Sequence, residues 1–211
     1  MSVSEERVSS GQGTAKSRGR TETRRRLVEA GTELFAQHGL HGTTSAQISQ
    51  RAGVATGTFY LHFKDKQSLF REIAFDAMAR LRARQDRASE AAGPRGTRVE
   101  LRARNEELLR FAHENGNLIR AVFGRGAAGS EIGDELLDAI VPDVEARLRE
   151  AVGGAPSPPD LHPAAAAQAL TALVLRLVVW WIDHPDLATR EQVVDTILRM
   201  HPVLAGRPAD S

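Results

Sequence analysis

At 211 residues, 41% of them hydrophobic and 26% charged, the chain is long enough to bury the core of one compact domain or two small ones. It contains no cysteine, which excludes disulfides and thiolate metal sites. Its net charge of +1 hides a polarity: residues 1–66 hold ten Lys/Arg against six Asp/Glu, and the remainder 18 against 21, so one end favours anions and the other repels them.

The opening segment MSVSEERVSSGQGTAKSRGR is polar and lacks the apolar stretch of a secretory signal. A cytoplasmic protein is expected, with residues 1–20 a disordered basic arm. Lys16, Arg18 and Arg20 suit either a solvated tail or a strand reaching a minor groove. A first helix is expected from Thr21. Glu22 then sits in its first turn, where the helix dipole favours an acid, and Leu27, Ala30, Gly31, Leu34 and Phe35 form one apolar stripe. Gly39 stops it. Thr44 and Gln47 have capping-box spacing for a short second helix with Ile48 and Ala52 inward. Gly53 supplies the left-handed residue of a tight inter-helix turn, and Val54 fits the angle beyond it. The next segment, ATGTFYLHF, is a poor isolated helix that needs Phe59 and Phe63 as an i, i+4 anchor. Its outer face, Ala55, Thr56, Gly57, Thr58 and Tyr60, is small, polar and free of acid, as close approach to a polyanion requires. Asp65 caps a long helix beginning at Lys66.

The stretch GTTSAQISQRAGVATGTFYLHFKDKQSLF resembles the DNA-binding domain of TetR-family transcriptional repressors. The threonine cap, Ala-Gly-Val turn, Gly-Thr-aromatic-Tyr helix and following lysine recur together, over about fifty residues of a chain of the usual family length. Ser45 departs from the pattern, which more often has an apolar residue there. The resemblance implies phosphate contacts at Thr44, Tyr60, His62 and Lys66; Ala55, Thr56 and Gly57, at the start of the third helix, are placed for base readout, with Thr58 also on the DNA-binding face. It also implies an all-α protein of about nine helices. Residues 21–66 would form the helix-turn-helix domain, 67–205 an effector-binding and dimerisation domain, and 206–211 a tail.

Beyond Phe70 the chain reads as helix throughout. Apolar positions from Leu69 to Leu81 carry the fourth helix to about Glu90, and AAGPRG breaks it. Thr97 and Glu100 have capping-box spacing for a fifth helix ending near Glu114, and a short sixth covers Leu118–Phe123. Ser130 caps a seventh, Glu131–Val152, bent at Pro142. GGAPSPPD is a linker. Pro163 opens a strongly apolar eighth helix, which Pro185 ends. Thr189 and Gln192 cap a ninth that contains Val193, Val194, Ile197 and Leu198.

Three features invite other readings. Gly124–Gly129 fits G-x-G-x-x-G, but no strand precedes it, so it reads as a loop. The twenty-residue run PAAAAQALTALVLRLVVWWI is long enough to span a bilayer. Arg176 and Gln168 oppose that, since an arginine at the bilayer centre costs roughly 2.5–3.5 kcal/mol. The run reads better as a helix buried on two sides. The seven histidines lack ligand spacing, so no metal or cofactor is expected. An enzyme is the competing class, but no nucleophile–base arrangement or carboxylate pair has defensible spacing. An effector-independent DNA-binding protein would not need the residues after the reader domain.

The expectation is a homodimeric repressor, not an enzyme, that binds a near-palindromic double-stranded operator and leaves it when a small, largely apolar effector binds. The resemblance puts the effector among helices four to eight. Phe75, Met78, Leu108, Phe111, Phe123, Leu136, Ile140 and Trp180 would line its pocket, with Arg82, Asn105, His113 and Arg176 placed to orient a polar group. Leu170, Leu173, Val174, Leu177 and Trp181 form a stripe on the eighth helix, and Val194, Ile197 and Leu198 one on the ninth. These are the expected dimer surface, pairing across a two-fold axis.

Overall fold

The computed structural model describes residues 9–124, 130–151 and 162–204, all helical apart from turns and caps. In chain order the helices are α1 (Ser9–His38), α2 (Ser45–Arg51), α3 (Thr56–Tyr60), α4 (Lys66–Ala92), α5 (Arg98–Glu114), α6 (Gly116–Phe123), α7 (Ser130–Ala151), α8 (Pro163–Asp183) and α9 (Arg190–Leu204). They form two compact units that divide between Ile73 and Ala74. That divide falls inside α4, seven residues beyond the boundary expected at 66/67. The reason is that Leu69, Phe70 and Ile73 are buried in the N-terminal unit.

α1 starts twelve residues before the expected Thr21, so residues 9–20 are helical rather than a disordered arm; residues 1–8 lie outside the described set. Once the packed Leu27–Phe35 segment has nucleated the helix, extending it needs only one hydrogen bond per residue fixed. Glu22 is therefore mid-helix, and it pairs with Arg25 at 2.6 Å instead of facing a helix terminus.

The core of the N-terminal unit is aromatic and aliphatic. Leu27, Phe35, Ile48, Phe59, Leu69 and Phe70 are each at most 1% exposed. Phe35 meets Phe70 edge-on at 5.1 Å. α1 and α4 approach closely through Gly31, where a Cβ would stand 2.7 Å from Leu69 Cδ2. The α2 cap is a complete capping box. Gln47 N–H donates to Thr44 Oγ1, and Thr44 N–H donates to Gln47 Oε1. Gly53 has φ +65°, as the turn demands, and Val54 N–H returns to Ser49 O.

In the second unit α8 is the central element. Val178 and Trp181 pack with Leu109 and Ala112 of α5 and with Val193, Val194, Ile197 and Leu198 of α9. Ala166, Ala167 and Leu170 pack with Val141 and Leu148 of α7. Trp181 Nε1–H is satisfied by Ala188 O at 2.9 Å. By length and apolarity α8 would pass for a membrane span, but its apolar residues go to α5, α7 and α9. α7 continues through Pro142. It includes Ser130, which was expected as its cap. The α9 cap is a reciprocal pair, Thr189 with Gln192. The α5 cap is only half of one. Glu100 N–H donates to Thr97 Oγ1, while the Glu100 carboxylate turns away to accept from Gly96 N–H and Ser89 Oγ–H.

Candidate nucleic-acid interface and ligand cavity

α3 has five residues and no side-chain N-cap, too little to persist alone. It is held by Phe59, which is fully buried and packs on Phe63 with ring centroids 5.7 Å apart. That anchor turns the opposite face outward. Ala55, Thr56, Gly57 and Tyr60 are exposed and Thr58 is half-buried. A Cβ placed on Gly57 would meet nothing within 4 Å. Leu61, at the C-cap of α3, is the residue that sequence reasoning missed. It is 72% exposed, more than Tyr60 at 57%. The signal was an apolar residue out of phase with the Phe59/Phe63 pair.

One expected phosphate ligand, Lys66, has other work. Lys66 Nζ donates to Leu40 O at 2.7 Å and Thr43 O at 2.8 Å, tying the α1–α2 loop to the first turn of α4. The carbonyls of that loop take up the lysine that the resemblance would send to a phosphate. His62 is half-buried, and its Nδ1 has no hydrogen-bond partner among the described residues. Burial first, then the positive charges of Arg20 and Arg24, holds its pKa below 6.5, so the ring is neutral at pH 7. Thr44 is exposed, although its hydroxyl is engaged in the α2 cap. Much of the basic charge in this unit is internally paired. Arg24 meets Glu72 and stacks over Phe63 at 4.9 Å, Arg25 meets Glu22 and Glu29, and Arg51 meets Glu33. Lys64 is exposed and makes no ion pair among the described residues.

The second unit holds a cavity of about 390 Å³ walled by α4, α5, α7, α8 and α9. Met78, Leu108 and Ile140 line it as expected, together with Arg82 and Asn105. Phe111 and Leu136 are core residues, 5% and 2% exposed. Phe75, Phe123, His113, Arg176 and Trp180 do not line it. The cause in each case is helix rotation, which periodicity alone leaves open. His113 lies beside Trp181, and Trp180 stacks on His184 with centroids 5.5 Å apart. The cavity also has a charged end that the sequence did not reveal. Arg104 and Arg147 share Asp86 at 3.2 and 3.1 Å, and stand 3.8 and 3.6 Å from the buried Glu100 carboxylate.

The expected dimer stripes are largely internal. Leu170, Trp181, Val194, Ile197 and Leu198 are buried within the single chain, and Leu173, Val174 and Leu177 are half-buried. Two apolar stripes that seemed to need a partner subunit satisfy each other and α5.

Residues 27–73 match the family model for bacterial regulatory proteins, tetR family. That segment, under a quarter of the chain, resembles the family's DNA-binding segment. The matched segment ends at the divide between the two units. Over 52 residues the chain is 44% identical to the HTH-type transcriptional regulator AcrR of Shigella flexneri, covering 25% of this chain and about a quarter (24%) of that relative. Over 171 residues it is 27% identical to YhgD, an HTH-type transcriptional regulator of Bacillus subtilis, covering 76% of this chain and 85% of YhgD. Its fold resembles that of the transcriptional regulator FadR from Bacillus subtilis, solved in complex with stearoyl-CoA. The TM-score is 0.69 at 18% identity, over 83% of this chain and 96% of that one. The described residues accordingly share an all-helical fold with solved regulators of this kind, and the matched N-terminal segment is a helix-turn-helix.

Proposed function

We propose that the protein is a cytoplasmic, homodimeric repressor, not an enzyme, which leaves a near-palindromic operator when a small amphiphile enters the second unit. The observation that carries this reading is the pairing, in one chain, of an acid-free exposed helix face with a cavity of ligand size in a separate unit. The N-terminal residues of α3, Ala55 to Gly57, read base edges. Tyr60, Leu61 and Lys64 meet the flanking backbone or base methyls, and Lys66 positions the reader without touching DNA. The stearoyl-CoA bound by FadR supports a long apolar ligand for this fold.

The dimer surface is one step around α8 from the stripe first expected. Ala169, Ala172, Leu173, Arg176 and Trp180 follow i, i+3, i+4, i+7, i+11 and are exposed or half-buried. Thr196, Arg199 and Met200 continue the surface on α9. Two copies supply the two reader helices that a near-palindrome needs. An effector need only prefer the conformation that cannot bind DNA, because equal affinity for both shifts nothing.

The test is a footprint of the purified protein on the DNA upstream of its own gene, repeated with added long-chain amphiphiles. Protection of a near-palindrome that one of them abolishes is the expected result. Protection of no site, or protection unaffected by every compound that binds the cavity, overturns the reading.

A further inference from the structure

The charged end of the cavity is neutral as a whole. Four guanidinium groups of the wall, Arg82, Arg95, Arg104 and Arg147, face four carboxylates. Arg82 pairs with Asp143, and Arg95 pairs with Glu150 at 3.5 Å. Arg104 and Arg147 share Asp86 and the buried Glu100. Glu100 is 1% exposed, and its carboxylate also accepts from Ser89 Oγ–H and Gly96 N–H. Each charge of the wall therefore has a partner, and none is left to hold the head of an ionised ligand. Such a head would lose hydration at the wall without gaining a free counter-charge.

The uncharged polar side chains of the wall are Gln85, Asn105 and Thr171. Gln85 is engaged at both ends of its amide. Its Nε2–H donates to Arg104 O at 3.2 Å, and its Oε1 accepts from the Arg104 guanidinium at 3.4 Å. Thr171 Oγ1 is buried away from the cavity space. Asn105, on α5, differs from both. Its Nδ2–H donates to Leu101 O at 2.8 Å, which orients the amide. Its Oδ1 accepts no hydrogen bond among the described residues, and the residue is half-buried rather than sealed. Met78, Leu108, Ile140 and Val174 make the wall around it apolar. A carbonyl oxygen in such surroundings favours a ligand that brings a donor to it.

We propose that the cavity binds an uncharged amphiphile, an apolar body with one hydroxyl, whose O–H donates to Asn105 Oδ1. This rests on the cavity being the effector site. Asn105 is then the specificity-determining residue for the donor, because an analogue without it leaves the carbonyl unpaired. The paired charges discriminate against acids and amines.

Calorimetric titration of the full chain at about pH 7.5, where decanoic acid and decylamine are ionised, compares those two with decan-1-ol and with methyl nonyl ether, an isomer of the alcohol that lacks the donor. The alcohol should bind about tenfold or more tighter than the acid or the amine, and about fivefold tighter than the ether. Asn105→Leu should bring the alcohol-to-ether ratio to about one. Asp86→Asn leaves one cation in surplus and should narrow the alcohol-to-acid ratio about threefold or more. Ile140→Trp, which fills the cavity, should abolish binding of all four compounds. Unfolding midpoints within a few degrees of the native chain show that the variants are folded. The inference is overturned if the acid or the amine binds as tightly as the alcohol, if the ether matches the alcohol, or if either ratio is unmoved by its variant. Binding of none of the compounds, or binding that survives Ile140→Trp, overturns the cavity reading as well. Alcohol binding that leaves DNA protection unchanged overturns the effector reading alone.

Discussion

Lys66 and Lys64 are two positions apart, yet the structure gives them opposite surroundings. The Lys66 ammonium holds two backbone carbonyls, and removing a charged donor strands both. Lys66→Met should therefore lower unfolding free energy by about 2 kcal/mol in urea titrations and leave the salt slope of DNA binding within half a unit. Lys64→Ala should do the reverse, reducing that slope by about one unit at unchanged stability. A fall in slope for the Lys66 variant would return that residue to the interface. His62 supports a second prediction at this scale. Its folded pKa is depressed by burial, Arg20 and Arg24, so below pH 6.5 the unfolded chain binds the proton more readily than the folded one. Its contribution to stability is present above pH 6.5 and falls away as pH drops from 6.5 toward the folded value. Urea unfolding at pH 7.5 and 5.5 should show a smaller loss for His62→Gln than for the native chain.

Among the elements, α3 shows most directly how packing turns an acid-free face outward. Its intrinsic propensity is low, and Phe59 compensates by filling the angle between helices. Phe59→Ala should cost about 3–5 kcal/mol, enough to remove the reader helix. Gly57 is the opposite case. Nothing lies within 4 Å of its missing Cβ, so Gly57→Glu should leave the unfolding curve unchanged or slightly stabilised. The added carboxylate faces a polyanion, and specific operator binding should fall at least a hundredfold in gel-shift titrations. Retained binding would remove α3 from the groove.

For the whole molecule, the proposed dimer surface and the core must be told apart. Ile197 is 1% exposed inside one chain, so Ile197→Glu buries an unpaired carboxylate and should unfold the second unit. Ala172 is exposed on α8, so Ala172→Glu should leave the circular dichroism spectrum intact and yield folded monomer in light scattering, with operator binding lost. A stable dimer of that variant would move the interface elsewhere.

Capping and turn chemistry are written into short stretches, and there the sequence by itself sufficed. Thr44 with Gln47, Gly53 and Thr189 with Gln192 each specify a local geometry that needs no distant partner. The Phe59/Phe63 spacing did the same for the outward face of α3. What the sequence left open turns on helix rotation and on long-range partners. Leu170, Trp181 and Ile197 have the periodicity of a face, and that pattern is the same whether the face meets α5 or a second subunit. Lys66 is anchored by carbonyls 26 and 23 residues away. The charged end of the cavity joins Asp86, Arg104 and Arg147 from three helices. The fold class was legible because local rules add up along the chain, whereas the cavity and the exposed face of α8 were decided only when the helices packed.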